Sequence, residues 1–151
     1  MIKAGGKSQN FSLKNQFGRF FNLSEQTGKF VLLSFHPLAW TPVCSDQMRS
    51  LEYKKETLDS LNAIAVGISI DSAPCKKAWA EHLGIKNTQL LADFWPHGCI
   101  AQLYGIFRDK DGFSERANIL IDRNGTVAFV KVYKISQLPD MNEITDKIKK
   151  L

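Results

Sequence analysis

Three cysteines are the residues of this chain whose chemistry is most informative: Cys44, Cys75 and Cys99. A thiolate is a strong nucleophile and a thiol is not, so the surroundings of a cysteine decide whether it reacts. Cys44 lies in the stretch PLAWTPVC, behind Thr41 and between an apolar run and a segment with helical spacing. We therefore expect Cys44 at a helix N-terminus, where free N–H groups and a partial positive charge favour an anion.

The same position has a second interpretation, because a cysteine at the start of a helix is often only a small buried apolar residue. Two neighbours favour the reactive one. Thr41 places a hydroxyl within one helical turn of the sulfur, and Pro37 and Pro42 stiffen the loop without adding N–H donors. The residues alone leave both interpretations open.

The elements that must position Cys44 can be read from the hydrophobic pattern. The apolar run FVLLSF, residues 30–35, predicts a strand buried on both faces, and AIAVGISI, residues 63–70, predicts a second one. Between them, Cys44, Met48, Leu51 and Leu58 recur at helical spacing, which predicts a helix over residues 43–58 with Thr41 or a neighbour as its N-cap.

Other elements complete the alternation of strands and helices. Helices are predicted over residues 75–83, 98–104 and 138–150; strands are predicted over residues 90–92, 117–121 and 127–132, and a pair of short strands within the first 30 residues. The pattern indicates an α/β fold, a single domain over residues 1–151, with a mixed central sheet flanked by helices and an N-terminal β-hairpin. In such folds sites form beside the carboxyl ends of strands, which is where Cys44 falls.

Composition excludes several classes of function. The net charge is +5, but the basic residues are dispersed except near Lys147, Lys149 and Lys150, so nucleic-acid binding is not expected. No run of about 18 apolar residues predicts a membrane span. The N-terminal residues lack the apolar core of a secretion signal, and an odd number of cysteines is no disulfide framework; both favour a cytoplasmic protein with reduced thiols.

Pro37, Thr41 and Cys44 form the pattern P-x-x-x-T-x-x-C, and FHPLAWTPVCSDQM resembles the active-site segment of the peroxiredoxins. Further stretches resemble this family in the same order, among them VGISIDS and YGIFRDKDGFSERANILIDRNGTV. The closest resemblance is to short members of the bacterioferritin-comigratory and one-cysteine types. It implies a thioredoxin-like fold and reduction of hydrogen peroxide or alkyl hydroperoxides, without a metal or an organic cofactor.

Carried onto this chain, the resemblance makes Cys44 the cysteine that attacks peroxide and becomes a sulfenic acid. Thr41 would hold the peroxide through its hydroxyl, and Pro37 would shield the pocket from water. Arg116 would be the cation beside the sulfur; by spacing alone Arg49 is a rival, although its offset on the helix points it partly away. Gln47 stands near the position where many relatives carry an acidic residue, so the role of that acid is open here.

How the sulfenic acid is reduced again is left open by the sequence. The position five residues after Cys44, where many relatives carry a resolving cysteine, is Arg49. Cys75 and Cys99 remain as internal candidates, and thioredoxin, glutaredoxin or another external thiol is the alternative. The expected assembly is a monomer or a small homodimer. Two other functions are considered: a peroxide-sensing redox switch, and a thioredoxin-like disulfide oxidoreductase, which the absence of a C-x-x-C pattern disfavours.

Overall fold

A five-stranded mixed sheet forms the centre of the protein, which is described here by a computed structural model of residues 1–151. The strands are β1 (Ser12–Lys14), β2 (Phe20–Asn22), β3 (Phe30–Phe35), β4 (Ala63–Ser69), β5 (Gln89–Ala92), β6 (Phe107–Arg108), β7 (Phe113–Ser114), β8 (Arg116–Ile121) and β9 (Val127–Tyr133). The helices are α1 (Pro42–Tyr53), α2 (Lys55–Ser60), α3 (Ala73–Leu83), α4 (Cys99–Leu103) and α5 (Met141–Lys149).

The strand order is β5-β4-β3-β8-β9, so β3 lies in the middle of the sheet. It pairs in parallel with β4 and antiparallel with β8, and all six of its residues are buried. A strand with neighbours on both edges and cover on both faces needs an unbroken apolar sequence, which FVLLSF supplies. The mixed sheet and the N-terminal hairpin of β1 and β2 confirm the predicted architecture.

Alternate side chains of β3 pack in two separate hydrophobic clusters, one on each face of the sheet. Val31, Leu33 and Phe35 pack on one face of the sheet, together with Tyr104 of the segment after α4. Leu32 packs on the other face, in the cluster that also contains Cys44 and the apolar sides of α1, α3 and α5. Cys44 is therefore fixed against the sheet by the face of α1 that the hydrophobic spacing identified.

Several boundaries differ from those predicted. The single helix expected over residues 43–58 is divided into α1 and α2 at Lys54, whose ψ of 5° is not helical. The division into two helices does not alter the predicted packing, because Leu58 still lies in the same hydrophobic cluster as Cys44. Helix α5 begins at Met141 rather than at 138, since the side chain of Asp140 caps it by accepting from the N–H of Asn142. The short hairpin of β6 and β7 was not predicted.

Candidate active site

Cys44 lies in the first turn of α1, directly beyond the carboxyl end of β3. Thr41 is the N-cap residue and Pro42 occupies the first helical position, where a missing N–H costs nothing. The loop that reaches this helix turns sharply at Trp40, whose φ of 71° is unusual for a residue other than glycine. The Cys44 side chain is fully buried, so its sulfur faces the interior and the helix N-terminus together.

Arg116, the first residue of β8, reaches the sulfur of Cys44. Its Nη1 lies 3.3 Å from the Cys44 Sγ and is fully within the protein, since Arg116 is only 2% exposed. Two further N–H groups, on Nε and Nη2, donate to the carbonyl oxygen of Ile135 at 2.9 and 2.7 Å. These bonds hold the guanidinium in one orientation, with a positive charge aimed at the sulfur.

The pairing register of β3 and β8 explains how Arg116, 72 residues after Cys44, comes to lie beside it. Phe35, the last residue of β3, is paired with Ala117 of β8 in the antiparallel ladder. Arg116 is therefore level with the point where the chain leaves β3 for the loop that carries Cys44. Arg49, the rival cation, lies elsewhere: it is exposed on α1 and forms a surface ion pair with Asp46 at 3.4 Å.

Gln47 is a site residue whose role the sequence left open. Its Nε2 donates to the Ser34 Oγ at 2.7 Å and to the Phe35 carbonyl at 3.1 Å, while its Oε1 accepts from Nη1 of Arg116 at 2.7 Å. A neutral amide thus positions the guanidinium and leaves its full charge available to the sulfur. The sequence feature that could have identified Gln47 as a site residue was its position three residues after Cys44, on the same face of the helix.

Thr41 and Pro37 frame the entrance to the sulfur. The Thr41 Oγ1 donates to the Leu38 carbonyl at 2.8 Å and makes no capping bond to a helix N–H. Thr41 thus occupies the expected N-cap position but stabilises the loop before the helix instead. Pro37 is buried directly after β3. Both residues line the same pocket as Cys44 and Arg116.

That pocket has a volume of about 450 Å³ and is open to solvent. The remaining lining residues are Leu38, Pro42, Val43, Phe113, Ile135 and Ser136. Most of these side chains are apolar, while the polar side chains that line the pocket are those of Cys44, Arg116, Thr41 and Ser136. Such a site can orient a small molecule that has one polar and one apolar end.

A second buried cation, Lys76 of α3, lies on the same side of the sheet. Its Nζ is 2.8 Å from the Nε2 of His36, and neither side chain has any exposed surface. Burial lowers the pKa of Lys76 to about 8, against the opposing charges of Asp71 and Cys44. Burial and the charge of Lys76 hold the pKa of His36 well below its usual value, so His36 is neutral.

The structure separates the two candidate resolving cysteines. All three cysteines are free thiols. Cys75, in the first turn of α3, packs against the cluster that contains Cys44, and its Sγ lies 4.0 Å from a carboxylate oxygen of Asp71. Cys99 begins α4 and packs against the cluster on the opposite face of the sheet. The ring of His97, two residues before Cys99, lies with its Nε2 2.6 Å from the Gly112 carbonyl oxygen.

Comparisons of the sequence with known proteins agree on one family. The model of the AhpC/TSA family matches residues 4–130. Alkyl hydroperoxide reductase E of Mycobacterium tuberculosis is 32% identical over 149 residues, which are 98% of this chain and 97% of that protein. A peroxiredoxin of Thermoplasma volcanium is 31% identical over 155 aligned positions, which cover 99% of this chain and 75% of that protein.

Solved structures give the same result for the fold. The reduced 2-Cys peroxiredoxin of Plasmodium vivax superimposes with a TM-score of 0.88 at 29% identity, covering 99% of this chain and 81% of that one. AhpC of Enterococcus faecalis also gives 0.88, at 23% identity, over 99% of this chain and 92% of that one. These similarities confirm the predicted thioredoxin-like fold. No helix of the chain is both long and apolar enough to span a membrane.

Proposed function

The chain belongs to the AhpC/TSA family, the peroxiredoxins, and is a thiol-dependent peroxidase; we propose that Cys44 is the thiol that attacks the peroxide. The observation that carries this assignment is the contact of 3.3 Å between Nη1 of Arg116 and the Cys44 Sγ at the start of α1. A fixed guanidinium and a helix N-terminus both stabilise an anionic sulfur.

The proposed reaction uses only the sulfur and the groups around it. The Cys44 thiolate attacks the terminal oxygen of R–O–O–H, an S–O bond forms, and the O–O bond breaks. Cys44 becomes a sulfenic acid, and the departing RO⁻ takes up a proton to leave as an alcohol, or as water when R is hydrogen. Arg116 stabilises the negative charge that spreads over the peroxide oxygens, and the Thr41 hydroxyl holds the peroxide in line with the sulfur.

Alkyl hydroperoxides and hydrogen peroxide are the proposed substrates. The support for an alkyl substituent is the largely apolar lining of the pocket, which includes Phe113 and Ile135. The hydroperoxide group would meet Arg116 and Thr41 while the alkyl chain covers these side chains. Pro37, which is buried and lines the pocket, would keep water from the sulfenic acid.

For regeneration we favour Cys75 as the resolving cysteine over Cys99, because Cys75 packs on the same side of the sheet as Cys44. Its thiol would displace the hydroxyl of the sulfenic acid as water and form a Cys44–Cys75 disulfide, which thioredoxin or another dithiol would reduce. A disulfide needs Cα atoms within about 7 Å, so the first turn of α1 would unwind locally. Without a resolver, an external thiol would attack the sulfenic acid directly.

The cellular setting follows from the thiols rather than from the site. Three free cysteines without a disulfide framework favour a reducing compartment, for which the cytoplasm is the proposal. We propose a monomer or a small homodimer as the assembly.

The test is intact mass spectrometry after one equivalent of hydrogen peroxide, on wild type, Cys44→Ser and Cys75→Ser, with an alkylating agent to trap free thiols. We expect rapid turnover that Cys44→Ser abolishes; unchanged peroxidase activity in that variant would refute the assignment. Loss of two hydrogens in wild type but not in Cys75→Ser would establish the internal disulfide. Gain of one oxygen in both would show an external reductant instead.

A further inference from the structure

Lys76 is an unusual residue because its ammonium group is completely enclosed. Lysine is almost never fully buried unless its charge is paired, and yet Lys76 has no exposed surface. The five ion pairs of the protein involve other residues, so no carboxylate lies within 4 Å of this nitrogen. Its hydrogen-bond partner is the neutral ring of His36, which accepts through Nε2 at 2.8 Å.

A buried cation without an ion-pair partner must be balanced by anions slightly further away. The groups around Lys76 that can carry negative charge are Asp71, Asp93, Cys75 and Cys44. Asp71 is already engaged, since its carboxylate accepts from Ser69 Oγ at 2.5 Å and from the Ala39 N–H at 2.9 Å. Asp93 accepts from two N–H groups at the start of α4.

Packing ties Lys76 to the back of the Cys44 site. Its Nζ lies 5.3 Å from the ring centre of Trp79, and the Trp79 indole N–H donates to the hydroxyl of Ser45, the residue after Cys44, at 3.2 Å. Cys44 and Trp79 pack in the same cluster. His36, which holds Lys76, directly precedes the buried Pro37 of the pocket. Arg116 contacts the sulfur from β8, whereas Lys76 belongs to α3 and contacts His36 and the Trp79 ring.

We propose that Lys76 is a positioning residue that supplies a second buried positive charge to the Cys44 thiolate, held in place by its contact with the ring of His36. The inference rests on the proposed function of Cys44. Lys76 does not contact the peroxide; its charge acts through the sulfur, together with that of Arg116. The amide of Gln47 complements this arrangement, because an acidic residue there would offset part of the positive charge.

The direct test replaces Lys76 by methionine, which has a similar length and no charge. The Cys75→Ser/Cys99→Ser double variant serves as background, so that the ultraviolet absorbance of the thiolate reports Cys44 alone. We expect Lys76→Met to move the ionisation midpoint of Cys44 upward by about one pH unit, and to slow its alkylation about tenfold below that midpoint. The two curves should converge above pH 8, where burial lowers the pKa of Lys76 enough for wild type to lose the charge as well.

Lys77→Met is the matched control, since Lys77 is the exposed neighbour on the same helix and should leave the midpoint unchanged. A purely structural role for Lys76 would lower the reaction rate at every pH without moving the midpoint. An unmoved midpoint in Lys76→Met would therefore overturn the proposal.

A reciprocal measurement keeps the proposal testable if Lys76→Met does not fold. Coupling between two charges acts equally in both directions, so loss of the thiolate must make Lys76 easier to deprotonate. We expect the NMR titration of the Lys76 side chain to move to lower pH in Cys44→Ser than in wild type. An identical titration would mean that Asp71 balances the charge alone. Neither experiment uses peroxide, so failure of the catalytic assignment of Cys44 would be detected separately, by the activity of Cys44→Ser.

Discussion

Replacement of Lys76 by methionine has a calculable effect on stability. Burial lowers the pKa of Lys76 from 10.5 to about 8 in the folded protein, and each pH unit between two pKa values corresponds to about 1.4 kcal/mol. Carrying the charged form inside the protein thus costs roughly 3 kcal/mol of the free energy of unfolding. The cost is complete below pH 8, because Lys76 is protonated in both the folded and the unfolded chain.

The sign of the pH dependence follows from proton binding. Between pH 8 and 10.5 the unfolded chain holds more protons at Lys76 than the folded protein does, so the stability of wild type rises through this window. The stability of Lys76→Met has no such pH dependence, because methionine does not ionise. The variant also leaves the Nε2 of His36 without its donor, which costs about 1–2 kcal/mol at all pH values.

Together, the burial of the charge and the lost hydrogen bond predict that wild type and Lys76→Met change places in stability as the pH rises. At pH 7 we expect Lys76→Met to be more stable than wild type by about 1–2 kcal/mol. Near pH 10 roughly 0.8 kcal/mol of the burial cost is left in wild type, so we expect the variant to be less stable there by up to about 1 kcal/mol. Urea unfolding at several pH values measures the difference, with Lys77→Met as the control that should show no such trend. A difference that stays constant from pH 7 to pH 10 would refute the reasoning, because the pKa of Lys76 would then not be lowered by folding.

Three further substitutions test the site and the core. Arg116→Met removes the cation beside the Cys44 sulfur and should slow the stopped-flow reaction with peroxide by roughly 10–100-fold. Arg49→Met, on the surface, should react like wild type, and equal losses in both variants would contradict the proposed role of Arg116. Phe113→Ala should lower the rate with a bulky alkyl hydroperoxide several-fold relative to hydrogen peroxide, and a constant ratio would argue against an apolar subsite. Gly67→Ala would place a Cβ 2.2 Å from the sulfur of Met48 and should lower the free energy of unfolding by about 1–3 kcal/mol; an unchanged urea midpoint would show that the core adapts.

The sequence predicted the local structure around Cys44 well, because short-range physics governs it. The apolar run of β3 was predicted with its observed bounds, since burial on both faces leaves an unmistakable pattern. Thr41 and Pro42 marked the start of α1, and the helical spacing identified the face that carries Cys44 into the core. The ends of α1 and α5 were less accurate, as they depend on single residues such as Lys54.

Regeneration and cellular setting remain predictions. The structure contributes one restriction, since Cys75 shares a face of the sheet with Cys44 and Cys99 does not.

By itself, the sequence determined the alternation of strands and helices and the corner between β3 and α1 that holds Cys44. Only the tertiary structure decided which charges surround the sulfur. The antiparallel register of β3 and β8 brings Arg116 to Cys44, and the packing of α3 encloses Lys76 against His36. Periodicity records how a residue faces its own element, whereas a contact between distant residues depends on how separate elements pair and pack, which no local pattern encodes.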